Sequence, residues 1–289
     1  MSSNDINLYG YTPTRSVCII FVILYSVSTL LHGFQAARSR AWFLLPTVVI
    51  AGIAEVVGWG ARTKSSYDPF QRTPFIIQTS ILVLAPTPFV AALFIGFGRI
   101  TGRLGAQYSR LSPTLYSRIF LTADIISLMV QGGGGGIAAG SSNDPDKARL
   151  GSNIIIAGLV VQIISMSVFC VFLIEYVWRR INDRPFHKLA YGEATERQPM
   201  DRHMKMLLAG ITISTVLIYI RSVYRIIEFA DGFNGTIAHT QVLFNVFDGM
   251  LVTLAMYTLN FMHPGQLLLA TQQVQSYALD SRSALAPSY

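Results

Sequence analysis

The sequence predicts an all-α, polytopic membrane bundle of seven transmembrane helices, and three observations carry that prediction. Of 289 residues, 52% are hydrophobic and only 13% are charged, against about 25% charged in soluble domains. Seven apolar stretches each reach the roughly 20 residues that a helix needs to cross hydrocarbon. The connections between them are short, which leaves no room for a separate soluble domain. Residues 1–13 are expected to form a flexible exterior tail, 14–263 the transmembrane domain, and 264–289 a disordered cytoplasmic tail.

The seven spans are Thr14–Gln35, Ala41–Ala61, Thr73–Phe97, Tyr116–Gly140, Gly151–Trp178, Met204–Ala230 and His239–Met262. The first is too long for a signal-peptide core and lacks a small-residue cleavage site, so it is expected to stay as a helix. The second carries Glu55, Trp59 and Arg62 toward one end. Glu55 and Arg62 are seven residues apart and share a helix face, whereas Trp59 and Arg62 fit an interfacial aromatic and a snorkelling cation. In the third, Pro86 and Pro88 predict a kink, because proline removes a backbone donor and crowds the preceding turn.

The fourth span places Asp124 and Gln131 on one face and then runs into the five glycines Gly132 to Gly136. Five glycines are a poor choice for simple spanning. They predict either close helix contact or unwound backbone lining a cavity, with Gly132 and Gly133 as lining candidates. The fifth span is apolar apart from Gln162 and a terminal Glu175 near Arg179 and Arg180. Cys18 and Cys170 lie at different depths and are read as unpaired packing residues.

The sixth span holds Arg221, Arg225 and Glu228 within about a 60° arc. Charge in hydrocarbon costs several kcal/mol or more unless it is partnered, so these side chains must point into protein. The seventh answers with Gln241, Asn245 and Asp248, and Asp248 lies at about the depth of Arg221, roughly 14 Å from the membrane surface at helical rise. The expected pairing has Arg221 and Arg225 bridging Glu55 and Asp248, with Glu228 held by Arg225. Asp124 lies nearer the opposite surface and needs another partner.

The net charge of +7 does not point to nucleic acid. Fourteen of the 22 Lys and Arg residues fall on the side of Arg38, Arg103 and Arg180, six fall on the other side, and two lie inside the membrane. By the positive-inside rule the N-terminus is then exterior and the C-terminus cytoplasmic. The same topology puts the sequon Asn234-Gly235-Thr236 outside, as a glycosylation candidate.

Several of these residues together resemble the fungal RTA-like proteins, also called lipid-translocating exporters. The matching pieces are Leu84-Ala85-Pro86 with Ala91-Ala92, Asp124 with Gln131-Gly132-Gly133, Gly158-Leu159 with Gln162, Ile220-Arg221-Ser222 with Tyr224-Arg225 and Glu228, Asp248, and His263-Pro264-Gly265. One position departs from the pattern: Gln241 stands where the family often has Glu. The resemblance implies a seven-helix fungal membrane protein, in the plasma membrane, that exports or flips sphingoid bases or other amphipathic molecules and is associated with resistance to toxic compounds. Its partners would then be an amphipathic substrate and membrane lipids, with no cofactor. The residues themselves nominate Glu55, Arg221, Arg225, Glu228, Asp248, Asp124 and Gln131 for binding or coupling, and no metal site. Two other readings are a seven-helix receptor or sensor and a membrane-embedded enzyme, using either an acidic residue or a zinc held near His32, His203 and His263.

Overall fold

The computed structural model describes residues 9–140, 144–186, 202–232 and 235–265. Seven helical spans cross it: Arg15–Arg38, Trp42–Ser65, Arg72–Leu104, Pro113–Ala138, Asp146–Ile181, Arg202–Asp231 and Gln241–Phe261. They are built from α1 (Arg15–Arg38), α2 (Ile50–Ser65), α3 (Arg72–Leu84), α4 (Pro86–Leu104), α5 (Pro113–Gly140), α6 (Pro145–Ile181), α7 (Arg202–Asp231), α8 (Gln241–Phe244) and α9 (Leu251–Phe261). A short π-helical turn, Leu45–Val49, leads into α2, and a second one, Asn245–Met250, joins α8 to α9. All seven spans carry exposed large apolar side chains, such as Leu30, Ile53, Ile77, Met129, Ile174, Val216 and Phe261. Such a surface suits lipid rather than water.

The third span is the axis of the bundle. Its apolar stretch is 78% buried, against 22–50% for the other six. The expected kink is a break between α3 and α4 at Ala85, after the Ala85 N–H to Ile81 carbonyl bond of 2.8 Å. Pro86 has no N–H to offer the carbonyl four residues back. The Leu82 oxygen is therefore left for a partner outside its own helix.

Helices α5 and α6 pack backbone to backbone through glycine. A Cβ on Gly134 would sit 2.7 Å from the Gly151 carbonyl oxygen, and one on Gly158 would sit 2.6 Å from Gln131 Cγ. Of the two readings of the glycine run, close contact applies, since α5 continues as helix through Gly140. The cavity-lining expectation for Gly132 and Gly133 is corrected: both are exposed, with nothing within 4 Å of a built Cβ. Helical rotation explains the difference, because only one glycine per turn can face α6. Beyond this seam, aromatic side chains interlock α4, α5 and α6, with Phe94 on Phe169 at 4.6 Å and Phe97 on Tyr116 at 5.1 Å between ring centroids.

The first and last spans are joined by hydrogen bonds at three levels: Tyr25 Oη to the Gly249 carbonyl at 2.8 Å, His32 Nε2 with the Met256 carbonyl at 3.0 Å, and Asn260 Nδ2 to Ser28 Oγ at 2.5 Å. Glu175 pairs with Arg179 at 2.8 Å and with Arg110 at 2.6 Å. Cys18 and Cys170 are both free.

The N-terminal tail differs from the flexible segment expected. From Tyr9 onward it packs on the bundle: Tyr9 is 3% exposed, donates to Ser65 Oγ at 2.7 Å and meets Phe75 edge-on at 4.9 Å. Gly10, at φ +70°, lets the chain pass His239, whose ring lies 2.6 Å from where a Cβ would stand. Residues 1–8, the Asn234 of the sequon, His203's neighbours in 187–201, and 266–289 lie outside the described residues.

The glycine seam gives a direct test by thermal unfolding of the purified protein in detergent. Gly134→Leu is expected to destabilise by about 1–3 kcal/mol, the cost of overpacking. Gly132→Ala and Gly133→Ala should be neutral or stabilising by up to about 1 kcal/mol each, because the helix gains propensity and nothing is displaced.

Candidate functional site

The polar core is assembled around Asp248, which is 2% exposed and sits in the π-helical turn of the last span. Arg225 meets it with two parallel bonds, Nε to Oδ1 at 2.8 Å and Nη2 to Oδ2 at 2.7 Å. This fork-on-carboxylate geometry is the strong form of an ion pair. Arg221 adds an ion pair, with Nε 2.8 Å from the same Oδ1 but without hydrogen-bond alignment. Its Nη2 donates to the Leu82 carbonyl at 2.5 Å, the oxygen that Pro86 leaves without a helical partner. Arg225 completes its set by donating from Nη1 to Glu228 Oε2 at 2.9 Å.

The expected pairs of Arg225 with Asp248 and with Glu228 are therefore present, whereas the expected bridge to Glu55 is not. Glu55 is 1% exposed and within electrostatic range of Asp248, Arg221 and Arg225, yet it makes no ion pair among the described residues, and its Oε1 lacks a hydrogen-bond partner. The physical reason lies on the cationic side. Arg221 is turned toward Asp248 and the free Leu82 carbonyl, and Arg225 is taken up by two carboxylates.

A cleft opens over this core at the end of the bundle that bears the N-terminal tail. The space enclosed within it is small, about 50 Å³. The tail supplies Tyr9 and Tyr11, α2 supplies Arg62, α3 supplies Phe75 and Gln78, α7 supplies Arg225 and Glu228, and α8 supplies Phe244. Arg225 thus forms part of the floor, with Asp248 behind it. Spans two, three, six and seven contribute, and the fourth does not.

Arg62 and Trp59 are corrected from interfacial residues to core ones, at 1% and 0% exposure. Arg62 donates from Nη1 to Gln78 Oε1 at 3.1 Å and from Nη2 to Tyr11 Oη at 2.6 Å, and its guanidinium lies 4.3 Å from the Phe244 ring centroid. It cannot snorkel, because the tail covers it. Sequence reasoning missed this set, although two tyrosines in a polar tail and an Arg on the Glu55 face were visible signals.

Asp124 and Gln131 form a separate group deeper in the bundle. Gln131 Nε2 donates to Ser127 Oγ at 2.8 Å and Gln162 Oε1 at 3.2 Å, and Ser127 donates to the Gly158 carbonyl at 3.0 Å. Gln162 reaches Thr87 Oγ1 at 3.4 Å, just past the Pro86 break. Asp124 is 1% exposed, and neither carboxyl oxygen has a hydrogen-bond partner among the described residues. Pro86 and Pro88 line no part of the cleft; the role the structure gives Pro86 is to free the Leu82 oxygen. His32 and His263 approach to 6.0 Å between ring centroids, but no three His, Cys, Asp or Glu side chains gather as metal ligands among the described residues.

With this geometry in view, comparison with known proteins is decisive at the family level. Residues 48–271 match the family described as RTA1 like protein. The chain belongs to the RTA1-like family. Relatives of this RTA1-like chain include three proteins of Saccharomyces cerevisiae. The sphingoid long-chain base transporter RSB1 is 26% identical, over 91% of this chain and 75% of its own. Protein RTA1 is 28% identical, over 86% and 82%, and protoporphyrin uptake protein 1 is 29% identical, over 86% and 90%. No solved structure matches.

The ion-pair geometry ranks the acidic residues of this RTA1-like site by structural weight. Asp248→Asn should destabilise by about 3–5 kcal/mol, since it leaves two buried guanidinium groups short of charge. Glu55→Gln, which breaks no ion pair, should cost less than about 1 kcal/mol. Thermal unfolding in detergent reads both, and equal losses would mean that Glu55 carries a pairing the structure does not show.

Proposed function

We propose that this RTA1-like chain transports an amphipathic lipid or small molecule across the plasma membrane, with sphingoid bases as the leading substrate class. The observation that carries this reading is the cleft, a concave site in which aromatic walls stand beside a few convergent polar groups, as amphipathic ligands require. The names of two relatives, a sphingoid long-chain base transporter and a protoporphyrin uptake protein, support transport of such molecules. The charge bias of the loops supports an exterior cleft and a cytoplasmic C-terminus.

Within this reading each acidic residue has a distinct task. Glu228 has a side chain 12% exposed, against 2% for Asp248, and lines the cleft. A cationic amine head would therefore meet Glu228, while Asp248 holds Arg221 and Arg225 in place. Asp124, a partnerless carboxyl beneath the Gln131–Gln162–Thr87 chain, is the candidate coupling group, because it can take up and release a proton without breaking an ion pair. The sequence carries no nucleotide-binding motif, so a substrate or ion gradient would drive movement.

The test is flux of labelled sphingoid base in liposomes containing the purified protein. The parent should accelerate crossing, Glu228→Gln should lower the initial rate by about tenfold, equivalent to about 1.4 kcal/mol of lost head-group interaction, and Asp124→Asn should remove any response to an imposed pH gradient. A parent that moves neither sphingoid base nor any other lipid amphiphile overturns the transport reading. Undiminished flux in Glu228→Gln would remove that residue from the head-group site.

A further inference from the structure

The charges of the outer cluster do not pair off evenly. Asp248 and Glu228 are both committed to Arg225 and Arg221. Arg62 stands apart, with no carboxylate partner among the described residues, and its Nη1 and Nη2 donate to the neutral Gln78 and Tyr11. The neutral Cys18 thiol also adjoins the Arg62 side chain, and Arg62 Nε has no hydrogen-bond partner among the described residues. Glu55, two turns back on the same helix, lies about 10 Å deeper along its axis and makes no ion pair. Burial pushes the Tyr9 phenol up to about 12, so it supplies no negative charge either. Among the described residues that line the cleft, Arg62 and Arg225 face one carboxylate, Glu228.

A buried guanidinium held only by neutral groups is costly to keep, and the identity of those groups is informative. A tyrosine hydroxyl and a glutamine amide accept from Arg62, but each also carries N–H or O–H donors. When an oxyanion arrives, the Tyr11 hydroxyl and the Gln78 amide can turn to donate, joining the guanidinium around one oxygen-bearing head. Planar guanidinium suits carboxylate and phosphate in bidentate fashion. Phe75 and Phe244 add apolar faces on which the remainder of the ligand can rest.

We infer that the cleft contains an oxyanion subsite at Arg62, with Tyr11 and Gln78 as its other donors, that takes the carboxylate or phosphate head of an amphipathic ligand. It deepens the transport reading by adding a second head-group chemistry to the amine-accepting Glu228, and it rests on that reading only for the idea that the ligand is amphipathic. Ligands with an anionic head, or with both an amine and an anion, are then substrates or inhibitors of the same cleft.

Binding of head groups on one chain length tests this. The protein, with Trp42 and Trp178 replaced by Phe, is placed in phosphatidylcholine nanodiscs, and the fluorescence of Trp59, 5.7 Å from the Arg62 guanidinium, is followed. Dodecyl phosphate, dodecanoate, dodecylamine and dodecanol are titrated separately. At least one anion should bind about tenfold or more tighter than dodecanol, in keeping with a charged hydrogen bond, and the phosphate and carboxylate arms tell which head is preferred. Arg62→Gln should abolish that preference, and Arg62→Lys, which keeps the charge but loses the planar fork, should retain part of it. If Arg62→Gln does not fold, the head-group ranking on the parent decides by itself. Anions binding no better than dodecanol, or an anion preference that survives Arg62→Gln, would overturn the subsite. Sphingoid-base flux that persists alongside such a result leaves transport standing, so the two failures are separable.

Discussion

Asp248 is the residue on which the polar interior depends. Two guanidinium groups are carried into hydrocarbon on α7, and neither could remain there as an isolated charge. Asp248 meets one with two bonds and the other with an ion pair of 2.8 Å. A carboxylate serving two cations would still leave donors unmet, and the backbone supplies the remainder. Pro86 interrupts the third span, and the carbonyl it frees at Leu82 takes Arg221. The proline break and the buried arginine thus satisfy each other, and each would be expensive without the other. This couples the central span to the sixth and seventh at one level.

The same arrangement determines which groups are left for function. Since Asp248 and Leu82 hold the arginines from behind, Arg225 can present its edge to the cleft with its position fixed. Glu228 is bound on one side by Arg225 and faces the cleft on the other. The N-terminal tail then narrows the mouth, because Tyr9 and Tyr11 lie over Arg62. Rigid ion pairs below and a tail-built rim above make a site whose floor is fixed by charge and whose mouth is shaped by a different part of the chain.

The sequence made some of this legible because the relevant signals are local. Apolar length marks a span regardless of its neighbours, and a spacing of three or four residues places Arg221, Arg225 and Glu228 on one face. Depth counting matched Asp248 to Arg221, and the pair is present. What could not be read depended on rotation or on distant chain. The glycine run announces close packing, but helical phase makes Gly134 the contact and turns Gly132 and Gly133 to the outside. Glu55 had the right depth and charge for Arg221, yet a backbone carbonyl took the place assigned to it, and carbonyls carry no sequence signature except through the proline four residues on. Arg62 looked like a surface cation because nothing in α2 says that residues 9–11 will fold over it.

A site that releases its ligand should not depend on that ligand for its own stability, and the shared ion pairs suggest how this is avoided. On the proposed reading, an amine drawn to Glu228 would compete with Arg225 for the same carboxylate. Were Glu228 the sole partner of Arg225, ligand binding would strand a buried guanidinium and cost several kcal/mol. Because Asp248 already holds Arg225 with two bonds, Glu228 can turn toward a ligand at the expense of one bond only. The penalty is then comparable to the interaction gained, which favours a weak, exchangeable complex over a tight one. That balance is what a carrier requires, and under the proposed assignment it arises from giving the structural charge and the ligand-facing charge to different residues.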